Sequence, residues 1–249
     1  MKKTDMKYGK FFGNNAQDNN KEVIGSHMTF ELSEAFKLLR TNIAFSLPDD
    51  EECRVIGIVG ALRGVGKSFV ASNLAYSFAG ADKKVLLIDG DLRMPTIAEK
   101  TGLNSTPGLS NYLAGVGADS VESIIQNYTK NMDVITSGNI PPNPSELLGS
   151  EKMRGLLETL KEKYDYIIFD LPPTVVVSDA LVVSKLVHGF LLVVRQNIDE
   201  KKSVQEMMRQ FDFIHAKVLG FVFNAFDNGV SHYEKYKKNK YYRYYKRER

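Results

Sequence analysis

The stretch Arg54-Val55-Ile56-Gly57-Ile58-Val59-Gly60-Ala61-Leu62-Arg63-Gly64-Val65-Gly66-Lys67-Ser68 decides the fold. Residues 54–59 form an apolar, β-branched run of strand length, and a helical pattern opens at Ser68 and continues to residue 79. Between them lies a glycine-rich turn closing on Gly-Lys-Ser, the spacing of a P-loop. Glycines let such a turn approach an anion closely, and the N–H groups of the turn and of the helix start converge on a phosphate. The candidate cradle is therefore Gly64, Val65, Gly66, Lys67, Ser68 and Phe69, with Lys67 reaching the β and γ oxygens and the Ser68 hydroxyl holding magnesium. A Gly-Lys-Ser/Thr triplet arises by composition alone with odds on the order of one in ten for a chain this long. Its place between strand and helix makes it strong. Ala61 stands where the general motif has glycine and is small enough for the loop to persist.

Outward from the loop, strand-like runs at 54–59, 85–88, 132–136, 166–169, 190–194 and 218–223 alternate with helical ones at 68–79, 151–163, 179–186 and 201–214. Apolar strands separated by helices describe an α/β P-loop NTPase fold, a mostly parallel central sheet with helices on both faces. An amphipathic helix precedes it, with Leu32, Ala35, Phe36, Leu39 and Ile43 at three- and four-residue steps and Pro48 beyond its end. Three regions follow: a flexible arm at 1–28, the P-loop domain at 29–228, and a basic tail at 229–249.

Ligands in such folds sit beyond the carboxyl ends of the strands. There the second strand runs into Asp89-Gly90-Asp91-Leu92-Arg93 and the fourth into Asp170-Leu171-Pro172-Pro173. Asp170 is the natural metal aspartate. Asp89 and Asp91 are expected on one side of an extended segment, one orienting the metal's waters and the other taking a proton from an attacking hydroxyl, with Arg93 neutralising or positioning them. The competing role for each aspartate is to cap a turn.

The 249 residues, 43% apolar and 25% charged, suffice for one sizeable core. A single cysteine, Cys53, excludes an internal disulfide and a multi-cysteine metal site, and suits a reducing, cytoplasmic setting. No apolar run reaches spanning length, and the polar start has no signal-peptide core. The histidines, His27, His188, His215 and His232, show no metal-ligand spacing. The net charge of +3 is uneven: residues 231–249 carry +6 against −3 for the remainder, and hold six of the twelve tyrosines, Tyr233, Tyr236, Tyr241, Tyr242, Tyr244 and Tyr245. Such a tail is either a polybasic anchor or a modification substrate. If all six tyrosines take phosphate, roughly −9 to −12 of charge is added and the tail changes sign.

These residues resemble the bacterial tyrosine kinases, P-loop enzymes unlike eukaryotic protein kinases in fold. The resemblance runs from about residue 30 to the end. It is carried by the P-loop, the D-x-D-x-R run Asp89 to Arg93, the D-x-P-P run Asp170 to Pro173 and the tyrosine-rich tail, in that order. Arg63 stands where the family often has proline. The resemblance implies an ATP- and Mg2+-dependent protein-tyrosine kinase that autophosphorylates the tail tyrosines in trans. It also implies regulation of capsular or extracellular polysaccharide synthesis and export, a membrane-bound activator of the polysaccharide co-polymerase type, and a cognate tyrosine phosphatase. The chain would then be cytoplasmic, peripheral to the membrane through that activator, with no nucleic-acid partner. The family's ring-forming E-x-x-R-x-x-R helix is matched by Glu34, Lys37 and Arg40, with Lys37 in place of the first arginine.

Two other readings compete. A positioning ATPase shares the loop but typically carries a second lysine five residues before Lys67, where this chain has Leu62. The other is an ATP-liganded regulatory scaffold without turnover. Two weaker signals remain. Pro141 to Leu148 resembles a segment of the kinase family, with the competing reading that its prolines only shape a loop before a helix capped by Ser145. Asn224, ending the last strand, either reads adenine or makes a turn.

Overall fold

The computed structural model of the chain describes residues 25, 28–47, 52–176 and 178–225. Most of the expected arm and all of the expected tail, with its six tyrosines, lie outside the described residues.

Seven strands, β1 (Arg54–Val59), β2 (Val85–Asp89), β3 (Ile125–Thr129), β4 (Met132–Ile135), β5 (Tyr166–Asp170), β6 (Gly189–Arg195) and β7 (Val218–Asn224), form one sheet in the order β3-β4-β2-β5-β1-β6-β7. All neighbours run parallel except β3, which pairs antiparallel with β4 at the edge. The helices are α1 (Phe30–Ser46), α2 (Lys67–Ala79), α3 (Ile97–Thr101), α4 (Leu109–Ala114), α5 (Pro144–Leu148), α6 (Glu151–Lys161), α7 (Asp179–Val182) and α8 (Lys201–Phe213). The α/β P-loop architecture is the one the alternation of runs predicts.

The central strands are buried on both sides because successive side chains feed two different cores. Val55, Leu86, Ile88, Ile167, Phe169, Phe190 and Leu192 join one core with α6 and α8, while Ile56, Ile58, Leu87, Ile168, Leu191 and Val193 join the other with α1 and α2. Gly57 has no room for a side chain, since a Cβ there would lie 2.6 Å from the Phe190 ring.

Helix α1 starts where the Thr29 hydroxyl accepts the Leu32 N–H at 3.3 Å and lays Phe36 and Ile43 against α2. The Phe36 ring meets Phe69 edge-on, 6.1 Å between centroids. The Arg40 guanidinium donates to the Ser77 carbonyl at 2.5 Å, a cation at the carbonyl-rich end of α2. Helix α2 is therefore clamped between sheet and α1 directly behind the P-loop.

Two expectations need correction. The edge strand β3 was not expected: Ile125-Gln126-Asn127-Tyr128-Thr129 is mixed in polarity and only partly buried. Ser145 does not cap its helix. Asn143 is the N-cap of α5 and Pro144 its first residue, and the Ser145 hydroxyl turns inward to a carboxylate described below.

Candidate nucleotide site

The P-loop follows β1, and Asp89, Asp170, Arg195 and Asn224 are the last residues of β2, β5, β6 and β7. In the loop, Gly64 and Gly66 have φ of 76° and 97°, the left-handed region that side chains rarely enter. Gly66 is the N-cap of α2 and Lys67, 8% exposed, its first residue. The first N–H groups of that helix have no intrahelical acceptor and bear its positive dipole end, as an anion site requires.

The loop's carbonyls are taken from outside. Thr174 N–H donates to the Gly60 carbonyl at 3.1 Å and Val175 N–H to Ala61 at 3.4 Å. Arg195 Nη1 donates to the Gly64 carbonyl at 2.9 Å and Asn224 Nδ2 to Val65 at 2.8 Å. Ala61 is fully buried, so the alanine is accommodated. Arg63 is exposed at the loop's tip.

Three aspartates surround the loop in different states. Asp170 is 1% exposed and neither carboxylate oxygen has a hydrogen-bond partner of good geometry. Burial pushes its pKa up, while the nearby Ser68 hydroxyl and Lys67 ammonium pull it back. Unpartnered buried oxygens beside the P-loop serine suit magnesium, which takes one or two carboxylates together with phosphate oxygens and water. Ser68 and Asp170 are thus the fitting pair.

Asp89, opposite Asp170 in the β2–β5 register, is fully buried. Oδ1 accepts the Asp91 N–H at 3.3 Å, and Oδ2 accepts those of Thr96 and Ile97 at 3.2 and 3.0 Å. Burial, then the Asp170 charge, raises its pKa. Both oxygens thus fasten the loop after β2, the turn-shaping role that competed with a metal role in the sequence.

Asp91 is only half buried. It accepts the Met94 N–H at 3.0 Å, and burial raises its pKa against the pull of Met94, Lys67 and Arg63. Lys67 acts on its charge, as it does on that of Asp170, whereas Asp89 is held among backbone N–H groups.

Arg93 does not spend its guanidinium on these acids. Nε and Nη2 donate to Asp179 Oδ2 and Oδ1 at 2.9 and 3.0 Å, and Nη2 also to Ser145 Oγ at 3.2 Å. Asp179 is fully buried and accepts the Ser145 hydroxyl as well. Asp179, Thr174 and Arg195 are absent from the sequence-derived site. Ser178-Asp179 before a helix reads as a cap, and only distance in the fold reveals its partner. Asn224, expected at adenine or in a turn, touches the loop itself through Val65. Among the other predicted residues, Glu34 and Lys37 pair with each other at 2.7 Å on the surface of α1, whereas Arg40 is committed to α2.

Comparisons with known proteins place this geometry. A family model described as an AAA domain matches residues 53–218. The chain is 40% identical over 193 residues to the tyrosine-protein kinase etk of Escherichia coli (strain K12), covering 77% of this chain but 26% of that protein, so it spans about a quarter of that relative. It is 39% identical over 194 residues to the tyrosine-protein kinase YwqD of Bacillus subtilis (strain 168), covering 78% of this chain and 81% of that one. The solved kinase domain of Escherichia coli tyrosine kinase ETK superposes with a TM-score of 0.73 at 38% identity, covering 81% of this chain and 80% of that one.

Proposed function

Because this chain belongs to the bacterial tyrosine-protein kinases, we propose that it transfers the γ-phosphoryl group of ATP to tyrosine hydroxyls, those of its own tail first. The observation that carries this reading is Asp91, a half-buried carboxylate at the head of the loop after β2 and within electrostatic reach of Lys67 and Arg63. In the reaction the tyrosine oxygen attacks the γ-phosphorus in line. The bond to the β,γ-bridging oxygen breaks, ADP leaves, and the hydroxyl proton passes to Asp91. The P-loop N–H groups and Lys67 hold the phosphates and the charge developing on them. Magnesium, held by Ser68 and Asp170, supplies further charge neutralisation when bound. Asp89 keeps the loop in shape and stands behind Asp170. Arg93, tied to Asp179, fixes the far side of that loop and so the place of Asp91.

In this reading residues 29–228 are the kinase domain and the tail at 229–249 is the substrate, reached in trans from a neighbour in a ring. Glu34 and Lys37 on the exposed side of α1 are the ring contacts, and Arg40 holds α1 in place to present them. Among the described residues no helix is long and apolar enough to cross a membrane. In this reading membrane association comes through a co-polymerase-type activator, in the service of capsule or exopolysaccharide export, with a phosphatase to reset the tail.

The test is incubation of the purified chain with Mg-ATP and the cytoplasmic tail of a candidate activator. Phosphotyrosine should form on the chain and vanish when all six tail tyrosines are changed to phenylalanine. Steady ATP hydrolysis that yields no phosphotyrosine would overturn the proposal in favour of a positioning ATPase.

A further inference from the structure

We propose that Arg195 and Asn224 are positioning residues that hold the P-loop in its phosphate-binding shape before any nucleotide arrives. The proposal rests on the reading of this loop as a nucleotide site and concerns what presets it. Arg195 and Asn224 are direct register partners at the carboxyl ends of β6 and β7. From adjacent strands they reach two successive loop carbonyls, Gly64 at 2.9 Å and Val65 at 2.8 Å. This half of the loop contains both left-handed glycines and leads into Lys67, so it is the half whose backbone has most freedom to lose. The other half, Gly60 and Ala61, is held by backbone N–H groups of Thr174 and Val175, which no side-chain change removes.

The platform is itself fixed. Asp199 Oδ2 accepts the Arg195 N–H at 2.8 Å, the Asp199 N–H returns to the Arg195 carbonyl at 3.1 Å, and Ile198 packs 3.9 Å from where a Cβ on Gly64 would stand. Carbonyls drawn back against the strand ends leave the intervening N–H groups to face the phosphate. A charged guanidinium makes the stronger of the two bonds. Asn224 is seated so closely that a Cβ on Gly66 would lie 2.0 Å from its Nδ2. One of its two amide N–H groups is taken by Val65.

A loop held open only part of the time binds more weakly by the fraction that is competent, whatever sits beyond the phosphates. Asn224→Ala, Arg195→Gln, Arg195→Lys and the Asn224→Ala/Arg195→Gln double variant would be titrated calorimetrically with Mg-ADP, Mg-GDP and Mg-tripolyphosphate. Asn224→Ala should weaken all three ligands by a similar factor of about tenfold, mainly through slower association. Arg195→Lys, which keeps a charged donor, should lose less than Arg195→Gln, whose donor is neutral and on a shorter side chain. The double variant should lose less than the product of the single losses, because both act on one loop.

Loss confined to Mg-ADP would make Asn224 a base reader and overturn the proposal. So would unchanged affinities, a wild-type chain that binds no tripolyphosphate, or an Arg195 effect that disappears on raising the salt, which would mark distant charge alone. A chain that passes these tests yet phosphorylates no tyrosine would leave the positioning role standing and remove the kinase assignment.

Discussion

Arg93 and Asp179, 86 residues apart, form a two-pronged ion pair with N···O distances of 2.9 and 3.0 Å in which the carboxylate is fully buried. With Ser145 bonded to both partners, it ties the segment after β2, the start of α5 and the start of α7 into one unit. Removing Arg93 leaves a buried charge without its cation, so Arg93→Ala should cost about 3 kcal/mol, the low end for a buried pair because the guanidinium is partly open to water. Arg93→Lys, which keeps charge but loses the fork, should fall between. Urea denaturation of the two variants measures this. Equal stability of all three proteins would contradict the pairing.

Asp91→Asn should separate chemistry from binding. Mg-ADP affinity is expected to stay within a few-fold of wild type, while the single-turnover rate of tyrosine phosphorylation falls ~10²–10⁴-fold, the worth of a positioned proton acceptor. An equal fall for Asp89→Asn with Asp91→Asn unaffected would reverse the assignment of the two aspartates.

Gly66→Ala should abolish Mg-nucleotide binding. The position has φ of 97°, which costs about 1–2 kcal/mol for a residue with a Cβ, and that Cβ would displace Asn224. Gly117, also at positive φ but with nothing within 4 Å, is the control: Gly117→Ala should show the backbone cost alone and bind normally.

The nucleotide-free protein should lose stability as pH rises. Asp89 and Asp170 are both raised above 3.8, to about 8 and about 6, so between those values the folded chain holds protons that the unfolded chain has released. Stability from these groups is fully present below the ordinary carboxylate value and is lost as pH climbs through the two raised ones. Asp170→Asn should flatten the lower part of the profile in thermal melts. Binding of Mg-ADP near neutral pH should release protons, visible as a dependence of the calorimetric heat on buffer ionisation.

The strands legible in the sequence are those whose runs are mostly apolar, edge strand β7 included although Phe221 and Phe223 are exposed. β1, β2, β5 and β6 are uninterrupted apolar runs because both faces meet a core, and each lies within a residue of its expected span. β3 escaped because Ile125 to Thr129 mixes polar and apolar residues, and α3 and α4 because five or six residues show no helical period. In the site, the P-loop and its acids are local in sequence and could be read. The pairing of Arg93 with Asp179 and of Arg195 with Gly64 joins segments 86 and 131 residues apart, and nothing in either segment names its partner. Asp89 and Asp91 look alike in the chain and differ in the fold, in their burial, their backbone N–H partners and the charges acting on them.

The most direct test of the kinase account is phosphosite mapping by mass spectrometry after co-expression with a candidate activator's cytoplasmic tail, with Lys67→Met as the control. Phosphate on the tyrosines between 233 and 245 of the wild type and none on Lys67→Met is the predicted result. An unmodified tail in both proteins while the wild type consumes ATP would contradict it.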